Sequence, residues 1–250
     1  MRSDELAKNL ALYLDPETIA DYCPNGLQVE GGREIKRVAT AVSANLQTIE
    51  EAAKLEVDAL VTHHGMFWNR DPYPVVGSKR EKIALLLEKG ISLFAYHLPL
   101  DAHLEVGNNW KAARDLGWEN LAPFGLFNGI KIGVRGEIPL QSIDSFVAKV
   151  EEYYDHKSAR ALFGKERISK VALVSGGAYT ELSAAAAEGI DCFITGNYDE
   201  PAWGIAYEEK VHFLALGHAA TEKVGPKALA AALQEKWGLD AFFLDIHNPF

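Results

Sequence analysis

Nowhere does the chain run through 18 apolar residues without interruption, so no segment reads as a membrane-spanning helix. The amino terminus, Met1-Arg-Ser-Asp-Glu-Leu-Ala-Lys-Asn-Leu, lacks the apolar stretch and small-residue cleavage site of a secretory leader. It reads instead as an amphipathic helix, with Ser3 as its cap and Leu6, Leu10, Ala11 and Leu14 on one face. Cysteine is scarce: Cys23 and Cys192 show no CxxC spacing, and 250 residues can bury a core without a disulfide. Cys192, within the apolar run Cys192-Phe193-Ile194, reads as a small buried hydrophobe. These absences together point to a reducing compartment, and the expected location is the cytoplasm. Cations are also in short supply. Lys and Arg total 25 against 35 acids, a net charge of −10, which argues against a nucleic acid polymer as partner. No Walker motif or glycine-rich phosphate loop is present.

What is there is strand and helix in alternation. Apolar runs at Val38–Val42, Ala59–Thr62 and Ile91–Tyr96 read as strands. Helical patterns follow each, near Asn45–Leu55, Ser78–Lys89 and Asn108–Leu116. The second half repeats the plan. Ile130–Ile138 reads as a strand ended by Pro139, Ser142–Tyr154 as a helix, and Val171–Val174, Asp191–Thr195 and Val211–Leu216 as strands. Helices are expected near Tyr179–Glu188, Pro201–Glu208 and Thr221–Trp237, with a closing strand at Ala241–Leu244. Strands this apolar, separated by helices, predict an α/β fold with a mainly parallel, buried sheet.

The halves also match in register. Lys36-Arg37-Val38-Ala39 aligns with Ser169-Lys170-Val171-Ala172, and Asp58 to Thr62 with Asp191 to Thr195, both at an offset of 133. This predicts an internal duplication of an α/β module. The expected division is 1–125, carrying His63, His64 and Asp101, and 126–250, carrying His218 and Glu222. A hinge is expected near Pro123 to Asn128, where Pro, Gly and Asn interrupt the pattern.

Three segments carry metal-type side chains. Val61-Thr62-His63-His64-Gly65 places adjacent imidazoles at a strand's carboxyl end, where open parallel sheets bind ligands. They can converge only if the strand breaks there, which Gly65 permits. His97-Leu98-Pro99-Leu100-Asp101 follows the next strand. Asp101 offers a carboxylate; His97 could be a further ligand, a partner to a ligand, or an acid or base. Gly217-His218-Ala219-Ala220-Thr221-Glu222 follows a strand of the second half. A helix starting near His218 would put His218 and Glu222 on one face, though a capped helix start would use the same residues. Ser175-Gly176-Gly177 could form an anion nest but fits a tight turn better. His103, His156 and His212 lie in contexts that suggest surface or structural roles; His247, near the terminus, could approach the cleft, though nothing in the sequence requires it.

Five ligands of nitrogen and oxygen type exceed a mononuclear catalytic site. Two ions about 3.5–4 Å apart, sharing the carboxylate of Glu222 or Asp101, would use them all. The donor set suits Zn, Fe, Mn, Co or Ni.

These segments, together with Asp21-Tyr22-Cys23-Pro24-Asn25-Gly26-Leu27-Gln28-Val29 and Gly107-Asn108-Asn109, resemble the YbgI-like dinuclear metal proteins. Members of that family carry the name GTP cyclohydrolase I type 2 homologue. The resemblance covers essentially the whole chain. It implies two intertwined, structurally similar α/β modules, and a homohexameric ring with metal sites facing an internal cavity. It implies His63, His64, Asp101, His218 and Glu222 as ligands of two divalent ions, with His97 close by. One departure is Ala219-Ala220, where relatives often carry more polar residues. Two uses of such a centre fit these features. One is a metal-dependent hydrolase acting on a small molecule, with His97 as proton shuttle. The other is a non-enzymatic metal handler, a metallochaperone or insertase.

Overall fold

A computed structural model describes all 250 residues, Met1 to Phe250. The chain first builds α1 (Ser3–Leu14), β1 (Gly26–Val29), β2 (Arg37–Ser43), α2 (Leu46–Lys54), β3 (Ala59–His64), α3 (Gly77–Lys89), β4 (Ser92–Ala95) and the short α4 (Leu98–Ala102). It continues through α5 (Asn108–Asp115), β5 (Glu119–Phe127), β6 (Ile130–Ser142), α6 (Ile143–Tyr154), β7 (Ala159–Leu162) and β8 (Arg167–Val174). There follow α7 (Leu182–Ala187), β9 (Cys192–Thr195), α8 (Pro201–Glu209), β10 (His212–Ala215), α9 (His218–Thr221), α10 (Val224–Trp237) and β11 (Asp240–Phe243). No helix is long and apolar enough to cross a membrane.

Two compact units result. The first holds residues 1–106 and 225–247; the second holds 107–224 and 248–250. This differs from the expected division at 125/126, and the reason lies in strand pairing. β11 adds parallel to β2, matching Ala241 to Val38, so the late segment completes the first sheet. On α10, Leu229 and Leu233 are buried in one cluster with Leu6, Leu10, Val38, Val61 and Phe94. The expected hinge is also absent: Pro123 to Phe127 lie inside β5, at the edge of the second sheet. A proline is tolerated on an edge strand because the missing N–H faces away from any partner. Asn128 and Gly129, at φ 46° and 84°, form the tight turn into β6 that their sequence favours.

The first unit carries a five-stranded sheet, β1-β4-β3-β2-β11, with β1 antiparallel at its edge. The second carries six strands, β5-β6-β8-β9-β10-β7, with β7 antiparallel at its edge. Within each, three strands run parallel in the same order: β2, β3, β4 and β8, β9, β10. The sheets are therefore mixed, parallel at the centre. Their apolar runs are buried, as in Val171, Leu173, Cys192, Ile194 and Leu214.

The duplication extends to a side-chain device. Asp58 precedes β3, and its Oδ2 accepts the backbone N–H groups of Lys36 and Arg37, at 3.0 and 2.9 Å. Asp191 precedes β9, and its Oδ2 accepts those of Ser169 and Lys170, both at 3.0 Å. Asp58 N–H donates back to Arg37, and Asp191 N–H to Lys170. One carboxylate thus clamps the start of the preceding strand in each unit, at the same register.

Three local expectations are revised. β6 runs on through Pro139, which sits where its register against β8 shifts between Glu137 and Gln141; an irregularity is where a strand can accept a residue without N–H. Ser3 lies within α1 and donates its hydroxyl to Glu30, while Arg2 holds the cap position; Ala11 is exposed. The helix expected from Thr221 is broken. Pro226 would collide with the carbonyl four residues back, that of Glu222, so α9 stops and α10 starts afresh at Val224.

The bonds to Asp191 hold its carboxyl below the ordinary range: burial raises it, but the Ser169 and Lys170 amides and the Lys165 ammonium outweigh burial. A depressed folded-state value contributes stability present above the ordinary carboxylate range and lost as pH falls through the folded value. Asp191→Ala is expected to cost about 1–3 kcal/mol at neutral pH, since two backbone donors lose their acceptor. In urea unfolding the gap to wild type should narrow toward pH 3; a constant gap would contradict this role.

Candidate metal centre

In the first unit, chemistry-bearing side chains collect where β3 and β4 end. His63 is fully buried and His64 half-buried. Gly65 lies against the end of the Gln28 side chain, 2.3 Å from where a Cβ would stand, so a larger residue here would displace that side chain. His97 follows β4 and is 5% exposed; Asp101, on α4, is 4% exposed. The His63 and His64 rings lie 4.6 Å apart, and His97 sits 4.9 Å from the first and 5.5 Å from the second. Ligand atoms of these three imidazoles all fall within 4.8 Å of one another. His63 Nε2 lies 3.6 Å from Asp101 Oδ2. That is too long for a hydrogen bond and near the ~3.3 Å between two ligand atoms sharing one tetrahedral ion.

Each imidazole is anchored from outside through Nδ1. His63 Nδ1 meets the Tyr96 carbonyl at 3.3 Å, and His64 Nδ1 meets Ser43 Oγ at 3.0 Å. His97 Nδ1 meets Asp21 Oδ1 at 2.9 Å. Metal-binding histidines characteristically have their second nitrogen held this way, which fixes tautomer and ring orientation. Burial raises the Asp21 carboxyl, but the hydrogen bond to His97, with donors from Asn25 and Leu98, prevails and holds it at about 2. Cys23 beside it is pushed the other way, by burial and then by the Asp21 charge, so it stays a thiol.

In the second unit, His218 opens α9 and Glu222 caps its carboxyl end, with His218 Nε2 3.2 Å from Glu222 Oε1. The His218 side chain is 39% exposed and that of Glu222 4%. The expected spacing of four therefore does place them together, on a single turn. Thr221 fixes that turn: its hydroxyl lies 3.0 Å from the Gly217 and His218 carbonyls and accepts the Gly176 N–H. Gly176 N–H is thereby committed, and Ser175 N–H donates to Asn109 Oδ1, so this stretch is a turn and not an anion nest. Gly176 stands at φ +65°, and a Cβ there would fall 2.2 Å from Glu222 Oε1. Glycine at this position makes room for the carboxylate.

Three other histidines serve the fold, while His247 is exposed. His103 bonds the Tyr13 carbonyl, and His212 bonds that of Lys165. His156 bonds the carbonyls of Lys157 and Pro249. Reading by strand ends did not single out Asp21 or Ser43. Asp21 lies 76 residues before the histidine it holds. Its one local signal is the turn-forming Asp21-x-x-Pro24-Asn25-Gly26.

The donor set is imidazole and carboxylate throughout, suited to divalent first-row metals. The class so defined is a duplicated α/β protein with imidazole and carboxylate groups gathered at the carboxyl ends of its parallel strands. The chain belongs to the DUF34/NIF3 family, described as Duf34/NIF3 (NGG1p interacting factor 3), whose sequence profile matches residues 1–249. It is 50% identical over 252 residues to a protein of Chlamydia trachomatis serovar D called GTP cyclohydrolase 1 type 2 homolog, with 100% of both chains covered. A protein of the same name from Vibrio cholerae is 38% identical over 259 residues, again over 100% of both. Among solved structures, the protein ybgI, described as of unknown function, matches over 100% of both chains at 36% identity and a TM-score of 0.93. TTHA1606 from Thermus thermophilus matches equally fully at 34% identity and 0.91.

Gly176→Ala is expected to destabilise the protein more than Gly189→Ala. Both positions have positive φ, at 65° and 71°, but Gly189 has open space around it. The shared backbone strain is about 1–2 kcal/mol, and only Gly176→Ala adds displacement of Glu222. Equal losses in thermal unfolding would show that Gly176 is needed for its backbone alone.

Proposed function

We propose that the chain is a dinuclear divalent-metal protein acting as a hydrolase on a small molecule. In this reading His63, His64, Asp101, His218 and Glu222 are the ligands. The observation that carries it is the set of three histidines with anchored Nδ1 atoms beside a buried aspartate in one unit, matched by a His–Glu pair on one helical turn in the other. The reading of these five residues as ligands of two ions rests on ligand number and on the resemblance to YbgI-like proteins. The ring-shaped homohexamer implied by that resemblance belongs to the same reading, and sedimentation of the metal-loaded protein as a monomer would remove it.

Two divalent ions, when bound, supply a Lewis-acid pair that activates water at neutral pH and polarises the bond under attack. The protein's own part is orientation. Ser43 and the Tyr96 carbonyl hold the imidazoles of His64 and His63 in fixed rotation. Burial of His63 and Asp101 keeps bulk water from competing for their ligand atoms. His97 adjoins both histidines, with its own Nδ1 held by Asp21. The relatives' name makes hydrolytic opening of the GTP purine ring the first reaction to try.

Chelator-stripped protein should be inert towards GTP and a panel of phosphoesters, amides and lactones. Restoring Zn, Mn, Fe, Co or Ni should produce turnover of at least one substrate. His63→Ala should lower that turnover by at least about 100-fold, more than loss of an outer partner does. A fully metal-loaded protein that turns over none of these would end the hydrolase reading and favour a metal handler.

A further inference from the structure

Asp21 is a carboxylate buried for a purpose that the ligand set does not explain. Its side chain is 2% exposed. Oδ1 accepts the Tyr22 N–H at 2.7 Å and lies 2.9 Å from His97 Nδ1. Oδ2 accepts from Asn25 Nδ2 at 3.1 Å and from the Leu98 N–H at 3.0 Å. A carboxylate so surrounded is an acceptor only, so the nitrogen facing it must carry a hydrogen. Neutral imidazole has one N–H. His97 Nε2 is then the nitrogen with the lone pair, and it is the one His97 has left to offer the group it forms with His63 and His64.

The ring is confined as well as tethered. Tyr22 meets it edge-on at 5.1 Å and 67°, and Trp68 at 5.2 Å and 83°. The Tyr22 and Trp68 loops are tied together by the Asn69 N–H donating to the Tyr22 carbonyl at 2.9 Å. His97's own backbone N–H donates to Asn25 Oδ1 at 2.8 Å. Tilt, tautomer and backbone are each held by a separate contact.

We propose that Asp21 is a positioning residue that locks His97 as the Nδ1–H tautomer, making its Nε2 a third coordinating imidazole beside His63 and His64. The tautomer follows from the hydrogen bonds alone; the coordinating role rests on the metal reading above. A carboxylate that merely pinned the 21–25 loop through Leu98 and Asn25 would not govern which His97 nitrogen is protonated.

Asp21→Asn separates the two. The amide keeps the shape but has a single acceptor oxygen for donors on both sides, so one side must face its NH2. Long-range proton–nitrogen NMR of the metal-free protein, with His97 assigned by its loss in His97→Gln, reads the tautomer directly. Wild type should show Nδ1 protonated and Nε2 bare. Asp21→Asn should shift the population toward Nε2–H and weaken Co(II) binding about 10–100-fold, with an unchanged circular dichroism spectrum. Asn25→Ala, which loosens the loop and leaves the carboxylate, should keep the wild-type tautomer. Nε2–H in wild type overturns the proposal and needs no variant. So does a folded Asp21→Asn protein with wild-type tautomer, or one with inverted tautomer and wild-type Co(II) affinity. Wild-type protein that binds no Co(II) yet shows Nδ1–H at His97 would instead overturn the metal reading, and with it the coordinating half of the proposal.

Discussion

Burying imidazoles and a carboxylate at the end of a sheet is the constraint on which the first unit is organised. An unpartnered buried charge costs several kcal/mol, and a buried polar group without a hydrogen bond roughly 1–3 kcal/mol. The chain meets that demand from the far side of each ring, with the Ser43 hydroxyl, the Tyr96 carbonyl and the Asp21 carboxylate. These three partners come from three separate stretches of sequence. Each bond engages Nδ1, so Nε2 is the nitrogen that a metal would use. On the proposed metal reading, the bonds that satisfy the rings on the outside also orient ligand atoms on the inside.

The duplicated frame explains why such groups gather where they do. Asp58 and Asp191 clamp equivalent strand starts, and the parallel triplets β2-β3-β4 and β8-β9-β10 deliver equivalent strand ends. At the offset of 133, His63 and His64 correspond to Gly196 and Asn197. One copy fills that edge with imidazole; the other keeps it small. A Cβ at Gly196 would fall 2.7 Å from both the His218 Cα and Thr221 Oγ1, so the small residue lets the His218 turn come close. The two units have thus diverged from one plan, with imidazole and carboxylate groups after β3 and β4 in the first and after β10 in the second.

The central strands were legible because they are buried on both faces and read as unbroken apolar runs. The ones that escaped notice, β1, β5 and β7, are edge strands with half-exposed patterns such as Ala159-Arg160-Ala161-Leu162. Pro123 and Gly125 in β5 looked like a hinge because their composition is that of a loop; pairing with β6 overrode it. The division into units was missed for a different reason. Membership of α10 and β11 in the first unit is set by pairing between residues some 200 apart, which no local pattern records. Among site residues, the histidines and acids next to strand ends stood out, and the spacing of His218 and Glu222 correctly brought them together. Asp21 entered only as part of the family segment Asp21–Val29 and with no role of its own, since an aspartate before Pro and Gly reads as turn chemistry whatever it holds in space.

The central claim is that these side chains hold two ions per chain. Inductively coupled plasma mass spectrometry on protein purified without chelator, before and after adding Zn, Mn, Fe, Co or Ni, measures it most directly. The account predicts about two equivalents of a transition metal in wild type, with loss of metal in His63→Ala and Glu222→Ala while circular dichroism stays native. Wild-type protein that carries no metal and takes up none would contradict it, and would leave the anchored histidines without a function.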